Sequence, residues 1–307
     1  MTKTRTTALA AFAGAALLAA GCGGGGGGSA TITADGSSTV GPFTTKAAED
    51  FRAENADVQI TVGISGTGGG FERFCRGETD LSNASRPIED DEAAICAGNG
   101  VEYVELQVAL DALTNVVNLE NEWATCLTLE QLRAIWEPGS RVTSWRQVDP
   151  SFPDVPLRLF GPGTDSGTFD YFTDAVVGEE GASRTDYSPS EDDNVIVQGV
   201  AGERGGLGYF GFSYFEQNRD RLRALAIDGG EGCVAPSVET AQDGSYALSR
   251  PLYVYVKRSA LEERPEVGDF LRFALENEQA IAQEALYVPL SREQIDAELA
   301  KLQGAAG

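Results

Sequence analysis

The sequence predicts an α/β fold in which short apolar strands alternate with amphipathic helices. Two observations predict it. First, strand-like runs such as 58–62 (Val-Gln-Ile-Thr-Val) and 252–256 (Leu-Tyr-Val-Tyr-Val) recur between stretches of helical spacing. Second, three Ser/Thr/Gly clusters each follow a strand-like run and precede a helix-like one. They are Gly36-Ser37-Ser38-Thr39, Ser65-Gly66-Thr67-Gly68-Gly69-Gly70 and Gly163-Thr164-Asp165-Ser166-Gly167-Thr168. Such junctions put hydroxyls and unpaired N–H groups at helix starts, where the helix dipole favours an oxyanion and small residues let the backbone approach it. One such cluster is ordinary capping. Three in one chain point to a small anion held by convergent helix ends.

The elements follow in order. Residues 30–34 read as a strand. Residues 43–54 read as a helix with Phe43, Ala47, Ala48 and Phe51 on one face. Residues 58–62 alternate as a half-buried strand, a helix begins at 70–76, and 80–84 is short and strand-like. A long, largely apolar extended run covers 101–113 and ends in Asn115-Val116-Val117-Asn118. Leu129, Leu132, Ile135 and Trp136 mark a helix over 129–136. Residues 157–160 form a strand feeding the third cluster, and 168–177 an aromatic amphipathic helix. Another helix fits 194–200, a Gly-rich strand 205–212, and a strong strand 252–256. Residues 265–286 are helical, with Pro265 suited to a first turn.

The N-terminus reads as an export signal. Lys3 and Arg5 precede an apolar stretch over 8–20 that is too short to span a membrane as a mature helix. Ala19-Ala20-Gly21-Cys22 then resembles a bacterial lipoprotein signal, with cleavage before a lipidated Cys22 and a flexible tether of glycines behind it. Ala19 stands where a branched apolar residue is usual. Apart from Cys22, four cysteines remain, an even number that suggests two disulfides in an exported protein. Of the three connectivities, Cys75–Cys96 is favoured as a local loop, leaving Cys126–Cys233.

The formal charge of −24 excludes affinity for nucleic acid or an anionic membrane face, and reads as a solubility or high-salt adaptation. It cannot steer an anion either, so local dipoles and one or two arginines must hold the ligand. With no histidine there is no Ser-His-Asp or Cys-His machinery. Lys3, Lys46, Lys257 and Lys301 fit neither S-x-x-K nor a Walker A loop, and no metal or cofactor is called for. Carboxylate-pair chemistry stays open on composition.

Five motifs together resemble the PstS-type phosphate-binding proteins, receptors of high-affinity phosphate ABC transporters. They are Asp35-Gly36-Ser37-Ser38-Thr39-Val40, residues 65–71, Asp80-Leu81-Ser82-Asn83-Ala84-Ser85-Arg86-Pro87-Ile88, residues 161–169 and residues 194–200. The resemblance runs over about residues 31–302. It implies a two-lobe periplasmic-binding-protein (type II, clamshell) fold. After a signal peptide (1–21) and tether (22–29), lobe I would comprise 30–112 plus 235–303 and lobe II 113–234, with hinges in 104–117 and just before Leu252. It implies a non-enzymatic receptor for inorganic phosphate, at the outer face of the cytoplasmic membrane or in the periplasm. Its partners would be the membrane subunits of a permease with a cytoplasmic ATPase.

Carried over residue by residue, the resemblance implies phosphate contacts by Ser38, Thr39, Thr67, Gly68, Gly69, Ser166, Gly167 and Thr168. Ser65, Asn194 and Gln198 stand as outer candidates. Arg86 suits bidentate binding of two phosphate oxygens, although Pro162 stands where some members carry an arginine. Asp165 would accept the proton that phosphate retains and sulfate lacks. The alternatives are a receptor for sulfate, molybdate or tungstate, a secreted phosphoesterase, and a signalling or adhesion protein.

Overall fold

The computed structural model describes residues 30–164, 166–190 and 192–305. Cys22, the leader, the tether and Asp165 lie outside them. The strands are β1 (Ala30–Gly36), β2 (Val58–Val62), β3 (Leu81–Ala84), β4 (Tyr103–Asn118), β5 (Cys126–Thr128), β6 (Arg158–Gly161), β7 (Ser188–Pro189), β8 (Gly206–Gly211), β9 (Leu222–Ala224), β10 (Ala226–Asp228), β11 (Cys233–Val234) and β12 (Ser249–Lys257). Among the described residues, nine form one sheet in the order β2-β1-β3-β12-β4-β8-β6-β7, with β9 also on β4. The other three form β11-β10-β5. The outer strands are parallel, β1 to β2 and β3 at one end and β6 to β7 and β8 at the other. The central β12 and β4 are antiparallel to their neighbours.

The long strand β4 joins the two ends of the sheet. Up to Ala112 it pairs with β12, and from Leu113 it pairs with β8. Alternating burial at its start gives way to continuous burial from Val108 to Asn118, as expected where both faces of a strand are covered. One core packs Ile32, Phe43, Phe51, Leu106 and Phe270 beside the first part. Another packs Leu113, Trp136, Phe172, Tyr209 and Leu248 beside the second. Leu110, Val116, Phe210, Val288 and Leu290 fill the space between.

Helix Gly41–Glu54 buries the expected face, with Phe51 edge-on to Phe270 and Phe273. Other segments differ from expectation. The second helix starts at Gly66, four residues early. Residues 265–286 split into Pro265–Glu276 and Glu278–Glu284 at Asn277, whose backbone leaves the helical region. Its side chain donates to the Phe273 carbonyl and so competes with the helix ladder. The α-helix Gly167–Phe172 continues as a π-helical turn, Thr173–Val177. There the Thr173 hydroxyl donates to the Phe169 and Asp170 carbonyls. Helices Asp90–Gly98, opened by a Glu89/Glu92 capping box, and Arg292–Ala305 were not anticipated.

Both favoured disulfides are present. Cys75–Cys96 ties helix Gly66–Cys75 to Asp90–Gly98, and Cys126–Cys233 ties β5 to β11. Among the described residues no helix is long and apolar enough to cross a membrane.

Glu278 is fully buried, and its Oε1 accepts the Leu290 N–H at 2.9 Å. Burial pushes its carboxyl up from 4.5 to about 7, opposed by that bond. The folded chain therefore keeps a proton that the unfolded chain has released. This contribution to stability is full below the unfolded value and is lost as pH rises through the folded one. Glu278→Gln cannot titrate. Its unfolding free energy relative to the parent is expected to rise by up to about 3 kcal/mol between roughly pH 4 and pH 8. Denaturant unfolding across that range checks this, and a difference independent of pH contradicts it.

Candidate functional site

A cavity of about 560 Å³ is lined by loops from both halves of the sheet. The first loop enters it from the end of β1. Gly36 turns at φ +137°, and a Cβ there would sit 2.2 Å from the Asn83 carbonyl oxygen, so only glycine fits. A Cβ on Gly70 would sit 2.5 Å from Gly36 Cα, so these close approaches join the ends of β1 and β3 to helix Gly66–Cys75. Buried Asp35 adds to the joint by accepting the Gly36 N–H at 2.7 Å and pairing with Arg73. Ser37 Oγ accepts from the N–H groups of Thr39 and Val40. Ser37 thus closes the turn before helix Gly41–Glu54, and Ser37, exposed Ser38 and half-buried Thr39 all line the cavity.

The second loop contributes Ser65, Gly66, Thr67, Gly68 and Gly69 to the lining. Thr67 Oγ1 lies 3.0 Å from Ser85 Oγ and accepts the Ser85 N–H at 3.2 Å. This fixes the second loop against the segment after β3. Arg86, on that segment, also lines the cavity. Its guanidinium makes two bonds to Glu92, at 2.8 and 2.9 Å, and a third contact to Glu89 at 3.2 Å. Glu92 holds its pKa above the ordinary value.

From the other end of the sheet comes Gly167. A Cβ on it would stand 2.5 Å from Thr39 Oγ1 and 3.3 Å from Ser38 Oγ, so the two loops touch here through a missing side chain. Ser166 Oγ accepts the Thr168 N–H at 3.2 Å and caps the helix. Gly167 lines the cavity, whereas its chain neighbours Ser166 and Thr168 are not part of the lining.

Sequence reasoning missed Arg250, at the start of β12. Its Nη2 donates to Thr39 Oγ1 and to Asp111 Oδ2, both at 3.3 Å, and the guanidinium lies 3.9 Å over the Tyr171 ring. Asp111 is its cross-strand partner on β4. Burial pushes the Asp111 carboxyl up and Arg250 pulls it down. The available signal was a charge, Asp111, in the apolar run of β4. Pairing it with an arginine 139 residues away needed the fold. Glu89, Asp170, Asp174 and Glu180 form an acidic rim. Burial first, and then Glu180, raises the Asp170 pKa.

Comparison with known proteins fits this geometry. A model of the PBP superfamily domain matches residues 23–278. Protein SphX of Synechocystis sp. is 48% identical over 266 residues, which is 86% of this chain and 79% of SphX. The phosphate-binding protein PstS of Staphylococcus saprophyticus is 40% identical over 277 residues, 90% of this chain and 85% of that one. The chain belongs to the PstS-type family of the PBP superfamily. The crystal structure of a possible phosphate-binding protein from Planctomyces limnophilus superposes with a TM-score of 0.85 at 43% identity. It covers 91% of this chain and 99% of its own.

Within this PstS-type chain not every expected residue reaches the cavity. Asn194 and Gln198 are exposed and outside its lining, because Ile196, Val197 and Val200 turn the opposite face of helix Asp193–Gly202 into the core. Asn194 instead donates from its N–H and its amide to Asp192 Oδ1.

Proposed function

We propose that this chain is an extracytoplasmic receptor that binds orthophosphate between two lobes and passes it to an ABC permease, tethered to the membrane through Cys22. One observation carries the reading. Donor loops from both halves of the sheet converge on a single cavity with two guanidinium groups, Arg86, engaged by Glu92, and Arg250, which bonds Thr39 of the first loop. Ser38, Thr39, Thr67, Gly68 and Gly69 supply donors from one side, and Ser166, Gly167 and Thr168 from the other. Arg250 sits where the sides join and supplies the charge that the acidic surface does not. Thr39, which already meets both Arg250 and Gly167, is the centre of the shell.

The lobes of this proposal divide β4 between Ala112 and Leu113. Tyr246 and Leu248 pack in the second core, which moves the return crossing from residue 235 to about 249. Closure of the lobes brings the two donor sets within reach of one anion. Asp165, beside the Ser166 donors, takes the selective role by accepting the proton of phosphate. A phosphoesterase would need an activated nucleophile, and the chain has no histidine to serve as its base.

Titration calorimetry with phosphate, arsenate and sulfate tests the reading. Phosphate is expected to bind 1:1, arsenate to compete, and sulfate to bind far more weakly. Equal sulfate binding, or no phosphate heat, overturns it. In the same assay Arg86→Ala is expected to weaken phosphate binding about tenfold, the worth of one hydrogen bond to a charged group. Arg86 must release Glu92 to contribute more. An unchanged dissociation constant would make Arg86 an anchor of helix Asp90–Gly98 only.

A further inference from the structure

The segment between helices Glu278–Glu284 and Arg292–Ala305 runs across the junction of the two ends of the sheet. Val288 exchanges both backbone hydrogen bonds with Leu110 of β4, at 2.9 and 3.0 Å. Gln242 donates to the Pro289 carbonyl, and Ser213, on helix Phe212–Glu216, donates to the Tyr287 carbonyl at 3.1 Å. Leu286 precedes these anchors at φ +64°, the one positive φ outside glycine among the described residues. A bulky residue is rarely held there, and it persists only where its surroundings over-determine it. The turn it makes sends Tyr287 inward, where its hydroxyl donates to the backbone carbonyl of Thr39. Thr39 is therefore held from both sides, by Tyr287 at its carbonyl and by Arg250 at its hydroxyl.

We propose that Tyr287 is a positioning residue of the anion site, fixing Thr39 against Arg250 and Gly167 from a segment anchored on both halves of the molecule, through Leu110 on the first and Ser213 and Gln242 on the second. It acts through Thr39, lies outside the cavity lining, and transmits the position of helix Phe212–Glu216 to the first binding loop. The inference rests on the cleft being the phosphate site.

The test is a double-mutant cycle in the full chain, with phosphate affinity by calorimetry and thermal unfolding in parallel. Tyr287→Phe keeps the ring and removes the donor. It is expected to raise the phosphate dissociation constant three- to tenfold, the range for one net hydrogen bond. Thr39→Val removes the hydroxyl that Arg250 engages. If Tyr287 acts through Thr39, its substitution is expected to cost clearly less in the Thr39→Val background, a coupling that general loss of packing does not produce. Should Tyr287→Phe fail to fold, Ser213→Ala frees the same segment and enters the same cycle. An unchanged dissociation constant, or strictly additive losses, overturns the proposal while leaving the phosphate reading intact. Absence of phosphate binding by the parent chain overturns both.

Discussion

Removing Arg250 is expected to weaken phosphate binding by at least about a hundredfold. Two charge-assisted hydrogen bonds to an anion are worth roughly 3–6 kcal/mol together, and each 1.4 kcal/mol is about tenfold in affinity. The single substitution also leaves Asp111 buried and without its partner, which costs about 3–5 kcal/mol of folding stability. Arg250→Gln combined with Asp111→Asn removes both charges, so the loss of affinity is read in a folded protein. Phosphate and arsenate are expected to lose affinity in parallel, because a guanidinium supplies charge and geometry rather than a test for a proton. Titration of the double variant checks this. An affinity within threefold of the parent would assign Arg250 and Asp111 to the hinge alone.

Gly167→Ala is expected to weaken phosphate binding roughly ten- to hundredfold with little change in thermal stability. The added Cβ would stand 2.5 Å from Thr39 Oγ1 and 3.4 Å from the Thr39 nitrogen. Overpacking of this kind costs about 1–3 kcal/mol, and separating the loops removes it. The variant thus favours a wider cleft in which no anion reaches donors on both sides. Alanine suits the first turn of helix Gly167–Phe172, so the unbound fold loses nothing there. Small-angle scattering adds an independent reading: the parent should contract on adding phosphate, and Gly167→Ala should contract less. Full contraction with unaltered affinity would show that this contact does not set closure.

Local features were legible in the sequence wherever one short segment carried the physics. The three Ser/Thr/Gly clusters sit where strands give way to helices, and the apolar face of helix Gly41–Glu54 and the local Cys75–Cys96 loop follow from spacing, with Cys126–Cys233 left by elimination. Legibility stopped where neighbours are distant in sequence. Arg250 and Asp111 meet only because β12 and β4 pair, and Tyr287 reaches Thr39 only because its segment crosses the junction. It also stopped at the level of single hydroxyls. Ser37, Ser38 and Thr39 all line the cavity, yet Ser37 Oγ is also spent on two backbone N–H groups, a difference that the sequence does not display. Asn194 and Gln198 lie outside the cavity lining for a related reason. A helix has two faces, and Ile196, Val197 and Val200 claimed the inner one.

The central claim is that one phosphate is held by both halves of the molecule at Thr39. A crystal structure of the chain grown with phosphate tests it most directly. The account predicts tetrahedral density between the Ser38–Thr39 loop, the Gly167 helix start and the Arg250 guanidinium, with oxygens within roughly 3 Å of donors on all three. Phosphate bound elsewhere, or touching the loops of one half only with Arg250 still turned to Asp111, would contradict it.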